Sequence, residues 1–295
     1  MQHPRGLRAV GFGLVVVALA FPCRALAQID LSGEWAARLH EDQPHRFEGP
    51  SIGDYTGLPL NDAARLKADS WDASIQSLRE HQLQPLTAIY GSHGIANLRI
   101  SKIVDDASQE VVAYKIFRSP GTGGIRMFWM DGRSHPDEYA AHTWQGFSTG
   151  TWTGGMLTVK TTHLKAGVIQ RDGVPHSDRA ELTEHFVRHG DYLTVIGVID
   201  DPAYLDEPLV RSWNYVLDLG QQLESVPGQI VDEIAGLVPG RVPHHLPGTN
   251  PFLKEFAEHV GLPFEAVRGG RETTYPEYQT KLRALLDKMP KKPAP

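Results

Sequence analysis

Between residues 97 and 217, apolar and β-branched runs alternate with turn signals at short intervals, and that rhythm restricts the fold more than any other feature. Strands are expected at 98–104, 111–118, 125–130, 143–152, 156–164, 180–188, 192–199 and 210–217. Asp105-Asp106-Ala107-Ser108, Gly121-Thr122-Gly123-Gly124, Thr153-Gly154-Gly155 and His189-Gly190-Asp191 suit turns between antiparallel neighbours. Eight short strands with no helix between them leave a sandwich or a barrel. Consecutive hairpins dominate and closure removes exposed edges, so an antiparallel meander closed into a barrel is expected. The links 131–142 and 165–179 exceed a hairpin turn, which marks them as candidate functional loops on a rigid frame.

The flanks differ in texture. Residues 29–35 read as a first short strand, followed by a Pro/Gly-rich loop to Pro59. Asn61-Asp62 can cap a helix that runs through Ala63, Leu66 and Trp71 to about His81. Residues 218–295 hold ten prolines and almost no strand pattern, with helices expected at 252–259 and 275–288. The expected organisation is thus mainly β: a barrel domain over 28–217 with a helical N-terminal insertion near 60–81. A Pro-rich, partly helical tail over 218–295 would pack on the barrel and cover one mouth.

Residues 1–27 read as a signal peptide. Arg5 and Arg8 precede an apolar core from Val10 to Ala20, and Ala25-Leu26-Ala27 supplies the small residues of a cleavage site. The apolar run is too short to span a bilayer, so no membrane insertion is expected after cleavage. The single cysteine, Cys23, follows Phe21-Pro22, a poor lipobox, and would leave with the leader. A periplasmic or secreted location follows. Removing three arginines turns the net charge from −6 to −9, and such a surface repels nucleic acid.

Histidine is the compositional anomaly. His135, His142, His163, His176, His185 and His189 crowd into 55 residues, around both long links. Period-two alternation puts Leu157, Val159, Thr161 and His163 on one face, which points His163 inward. The same rule puts Glu184 inside the barrel with Leu182 and Phe186, and His185 outside. A buried carboxylate requires a cation, hydrogen-bond donors or a metal beside it. Pro175-His176-Ser177-Asp178, just before that strand, can bring an imidazole and a carboxylate to one rim. Acid–base chemistry would then use His176 as the proton carrier, Asp178 and Glu184 as orienting groups, and His142 and His163 as polarising groups. Alternatively His142, His163, His176 and Glu184 would make a zinc shell. Neither an HExxH nor an HxH spacing supports the metal, and no cofactor is the simpler expectation. Asp200-Asp201-Pro202 ends a strand, either as a plain turn or as a second carboxylate at the His176 mouth.

Aromatic residues suggest the ligand. Phe128, Trp129, Trp144, Phe147, Trp152, Trp213 and Tyr215 are core by default, but a subset lining a cavity would favour a planar or apolar small molecule. Trp129, Trp144 and Phe147 are the binding candidates. Arg133 could fork onto a substrate carboxylate or an internal Glu, or be a solvated turn residue.

Asp131-Gly132-Arg133, His135-Pro136, residues 146–154 (Gly-Phe-Ser-Thr-Gly-Thr-Trp-Thr-Gly) and Leu157-Thr158-Val159-Lys160-Thr161 resemble a large group of secreted bacterial proteins. So do Pro175-His176-Ser177, Thr183-Glu184-His185-Phe186 and Asp200-Asp201-Pro202. The chain departs from the group at Thr153 and Gly155, where acids are usual. The resemblance implies a secreted, lipocalin-like β-barrel and brings no reaction with it. Three functions follow from the residues: a barrel enzyme acting on a small apolar or aromatic molecule by acid–base chemistry (lyase, isomerase or hydrolase), a non-catalytic lipocalin-like carrier of a small lipophile, or a His-ligated metal-dependent hydrolase.

Overall fold

In the computed structural model, residues 29–41, 49–92, 96–119, 124–224, 228–231 and 240–289 are described. The expected signal peptide and most of the 121–124 turn lie outside them. Nine strands close into a barrel: β1 (Gly33–Ala37), β2 (Asn97–Val104), β3 (Val111–Ser119), β4 (Arg126–Trp129), β5 (Phe147–Thr153), β6 (Met156–Thr162), and, after a small two-stranded ribbon, three long strands. The ribbon is β7 (Gly167–Val168) with β8 (Pro175–His176); the long strands are β9 (Glu181–His189), β10 (Tyr192–Asp200) and β11 (Leu209–Leu217). Their order is that of the chain, with β1 joining β2 to β11. The protein is therefore a mainly β, lipocalin-like closed barrel.

One pair breaks the antiparallel expectation. β4 and β5 run parallel, joined only through Phe128–Ser148 and Trp129–Thr149. A parallel neighbour needs a crossover rather than a hairpin, and residues 130–146 make that excursion. Strand 143–152 accordingly begins late, at Phe147, with Thr143 held in a single bridge to Leu164.

Alternation sorts side chains as the pleat requires. On β9, Leu182, Glu184 and Phe186 are buried while the residues between them are half-exposed. Trp35, Tyr114, Phe128, Phe186, Trp213 and Tyr215 fill the interior. Arginines occupy inward positions too: Arg118 beside Tyr114 and Ile116 on β3, and Arg126 beside Phe128 on β4.

The insertion, rather than the tail, fills one mouth. α1 (Asp62–Asp69) is capped by the Asn61 side chain, and α2 (Ala88–Gly91) by Thr87. Ala64, Ala68, Ala88 and Ile89 pack with Tyr55, Leu58 and Leu60 on Leu182, Ile199 and Leu209 at the strand ends. α1 stops at Ser70, short of the expected His81, because Asp72 caps a separate 3-10 turn at Ala73–Ser77 and the Trp71 ring packs on Gly173.

The tail carries α3 (Glu255–Val260) and α4 (Tyr278–Leu286). Among the described residues it docks on residues 53–69, and it also reaches the barrel, where Thr274 Oγ1 and Tyr275 OH donate to Glu207 in the β10–β11 link (3.0 and 2.5 Å). Tyr55 N–H donates to Val267 O (2.9 Å), Gly270 N–H to Leu58 O (2.8 Å), and Arg268 forks onto Asp69 (2.5 and 2.6 Å). No helix among the described residues is long and apolar enough to cross a membrane.

Candidate functional site

The parallel seam opens the barrel wall. Where β4 and β5 begin side by side, a cavity of about 390 Å³ is lined by Ile125, Arg126, Met127 and Trp129 from β4 and its approach, and by Thr143, Trp144, Gln145, Gly146, Phe147 and Ser148 from the crossover and β5. Two hydrogen bonds hold the crossover lip in place: Ala88 N–H donates to Trp144 O (3.1 Å) and the Gln145 amide to Leu86 O (2.8 Å). Gly146 makes the tight entry to β5 at φ +67°, and a Cβ there would meet Thr162 O at 2.5 Å.

Trp129, Trp144 and Phe147, three of the four expected binding residues, line this cleft together. The fourth, Arg133, does not reach an internal Glu. It stacks on the Trp129 ring, 3.6 Å from the centroid, and its guanidinium is bound by Asp131 at 2.5–3.0 Å. Lys165 lies over Trp144, 4.8 Å from the centroid.

Behind the cleft lies the buried carboxylate. Arg126 Nη2 donates to Glu184 Oε2 (2.7 Å) and to Thr161 Oγ1 (2.9 Å), and Ser148 Oγ is 2.9 Å from Thr161 Oγ1. Arg118 Nη2 is 3.7 Å from the second Glu184 oxygen. The requirement for a partner to Glu184 is thus met by cations. Burial, and next the neighbouring Arg126, push the Arg118 pKa below the ordinary guanidinium value. Sequence reading named Glu184 but missed Arg118 and Arg126. The signal was available: each shares the alternation phase of its buried strand neighbours.

His176 is sealed at 0% exposure, at the plugged mouth. Its Nδ1 lies 3.0 Å from the Ser177 carbonyl, which can only accept, so Nδ1 carries the proton and Nε2 accepts from Thr87 Oγ1 (2.8 Å). Burial lowers its pKa, opposed by Ser177 and Asp201. Asp178 is exposed and does not join it; the carboxylate at this mouth is Asp201, also fully buried, which accepts from Ser177 N (2.6 Å) and Oγ (2.7 Å). The Asp200-Asp201-Pro202 segment therefore supplies the second carboxylate of the His176 mouth, and Asp178 does not.

His163 departs from the inward expectation. Its φ of +57° ends β6 at Thr162 and breaks the alternation, so the ring turns onto Thr162 Oγ1 (2.7 Å) and Asp137 O (2.7 Å). His142, 5.3 Å from it ring to ring, bonds Leu164 O (2.8 Å). His135 bridges Thr162 Oγ1 (2.7 Å) and Thr149 Oγ1 (2.8 Å). These three pin the 131–142 link to the outside of β5 and β6, while His176 and Glu184 lie inside.

The four expected zinc ligands do not converge, and no group of three or more His, Cys, Asp or Glu among the described residues could hold a metal. The chain matches no family model, no curated protein and no solved structure. The site is an aromatic cleft that Arg126 helps to line, with the Arg126 guanidinium buried behind it on Glu184, next to a barrel core already filled by side chains.

Proposed function

We propose that this is a secreted or periplasmic binding protein that carries a small molecule with a planar or apolar body in the cleft at the β4–β5 seam. The observation behind this reading is the meeting of Trp129 from β4, Trp144 from the crossover and Phe147 from β5 around one cavity of about 390 Å³. That volume lies within the ~300–1,000 Å³ usual for small-molecule sites. Half-buried aromatic rings there offer flat apolar surface for stacking. The acid–base reading has less behind it, because His176 is sealed and spends both ring nitrogens on neighbours.

The test is a fluorescence titration of the folded protein with 1-naphthaleneacetamide, a neutral probe. Saturable quenching of the cleft tryptophans is expected. Trp144→Ala should weaken binding about tenfold, as loss of one aromatic contact worth ~1–1.5 kcal/mol implies. Equal affinity in wild type and Trp144→Ala would remove the cleft as the site.

A further inference from the structure

Two buried guanidiniums face one carboxylate. Arg126 and Arg118 are 2% and 6% exposed, and both address Glu184, which is fully buried. Three of their donors, Nε and Nη1 of Arg126 and Nε of Arg118, are buried without an acceptor among the described residues, and Glu184 Oε1, 3.7 Å from Arg118 Nη2, is likewise outside hydrogen-bond distance of a donor. A buried cation without its counter-charge is costly, and so is each buried donor left unpaired. The surplus is one positive charge, and it lies against the inner wall of the cleft, to which Arg126 itself contributes.

Arg126 is the one charged residue among the described residues that line the cleft. Among the described residues no Asp or Glu lines it, in a chain whose net charge is −6. At its edge Lys165 lies over Trp144. The Arg133 charge, by contrast, is already matched by Asp131.

We infer that the bound molecule is a monoanion, an aromatic or apolar body bearing one carboxylate, and that Arg126 with Arg118 behind it receives that carboxylate. The inference rests on the cleft being the binding site and adds the ligand's charge and the residues that read it. With Nη2 engaged, neither two-pronged edge of Arg126 is open, so the carboxylate is met by single charge-assisted N–H bonds. Ser148, which lines the cleft, and Thr161 spend one hydroxyl hydrogen on each other and keep one to donate. Glu184 and Thr161 take both Nη2 hydrogens of Arg126, which leaves separate single donors on Nε and Nη1 unspent.

The experiment compares 1-naphthaleneacetate with 1-naphthaleneacetamide, which share a body and differ in charge, on wild type and Arg118→Met. In the wild type the acetate should bind about 10-fold tighter or more, the return expected from hydrogen bonds to charged groups in a buried site. In Arg118→Met that preference should shrink to about 3-fold or less, with amide affinity unchanged. Removing a surplus charge should leave the apo melting temperature equal or higher, whereas removing a structural partner of Glu184 lowers it. Formate serves as a third probe, at constant ionic strength against chloride. It should raise the melting temperature of wild type and not of the variant.

Equal binding of acetate and amide overturns the carboxylate assignment and leaves the cleft standing. Formate stabilisation with neither naphthalene bound supports the anion site and overturns the aromatic cleft. Failure of all three probes removes both. A loss of more than about 5 °C in apo Arg118→Met, some 1–2 kcal/mol for a chain this size, would make Arg118 a structural counter-ion and overturn the assignment.

Discussion

Glu184→Gln is the most informative single change in the barrel. The side chain keeps its shape but loses its charge. Its amide oxygen can still accept from Arg126 Nη2, now 2.7 Å from Oε2. The amide nitrogen must then face Arg118, whose Nη2 is 3.7 Å from the other carboxylate oxygen, donor against donor. Both arginines are almost wholly buried and lose their only paired carboxylate among the described residues. Breaking a buried pair on one side costs about 3–5 kcal/mol, because the charge left behind has no solvent to turn to. For a domain this size each kcal/mol shifts the melting point by about 2–4 °C, so a fall of roughly 6–20 °C is expected. Differential scanning calorimetry at pH 7 measures it. Replacing all three groups together, as Arg118→Met, Arg126→Met and Glu184→Leu, should recover most of the loss, since well-packed apolar substitutes for a buried ionic group are commonly neutral. A fall of under 3 °C in Glu184→Gln, or a triple variant worse than the single one, would refute the view that Glu184 is the counter-charge of this interior.

Three other outcomes are expected. Acid should loosen the 131–142 link, because His135 bridges Thr162 Oγ1 and Thr149 Oγ1 and burial lowers its pKa. The native state disfavours the charged His135, so the unfolded chain binds more protons below about pH 6.5 and stability falls with pH through that window, a slope His135→Gln should reduce in urea melts at pH 5–7. Asp172 behaves oppositely. Burial raises its carboxyl to about 7, so the native state holds a proton the unfolded chain releases above 3.8, stability falls as pH rises from there to about 7, and Asp172→Asn should flatten that decline and raise the melting temperature at pH 8. Gly53→Ala should free the tail, because φ there is +85° and a Cβ would strike Leu253 O; limited proteolysis should cleave within 240–289 faster than in wild type, and an unchanged rate would refute the docking.

The histidine cluster shows how far local pattern reaches. Alternation put Glu184 inside and His185 outside because a strand's period is enforced by the pleat at every residue. The same rule failed one step past β6, where His163 takes a left-handed φ that nothing in its immediate neighbours signals. Asp178 looked like the partner of His176 because they are two apart, but the β8 backbone sends Ser177, not Asp178, toward a carboxylate, and Asp201 answers from 24 residues away. Arg118 and Arg126 were legible in phase. Their meaning was not, since a guanidinium on an inward position gains a role only when Glu184 arrives from a strand 58 residues later.

By itself the sequence determined the strands, most of their ends and the barrel, because alternation, turn residues and β-branched runs act within a few residues of one another. It also determined which aromatic residues were available for a ligand. Only the tertiary structure decided that β4 and β5 run parallel, since that depends on where a long crossover returns. The seam opened there brings Trp129, Trp144 and Phe147 around one cleft and leaves two arginines behind it with a single carboxylate. Charge balance in a closed barrel is a sum over strands distant in the chain, and closure is what brings its members within reach of each other.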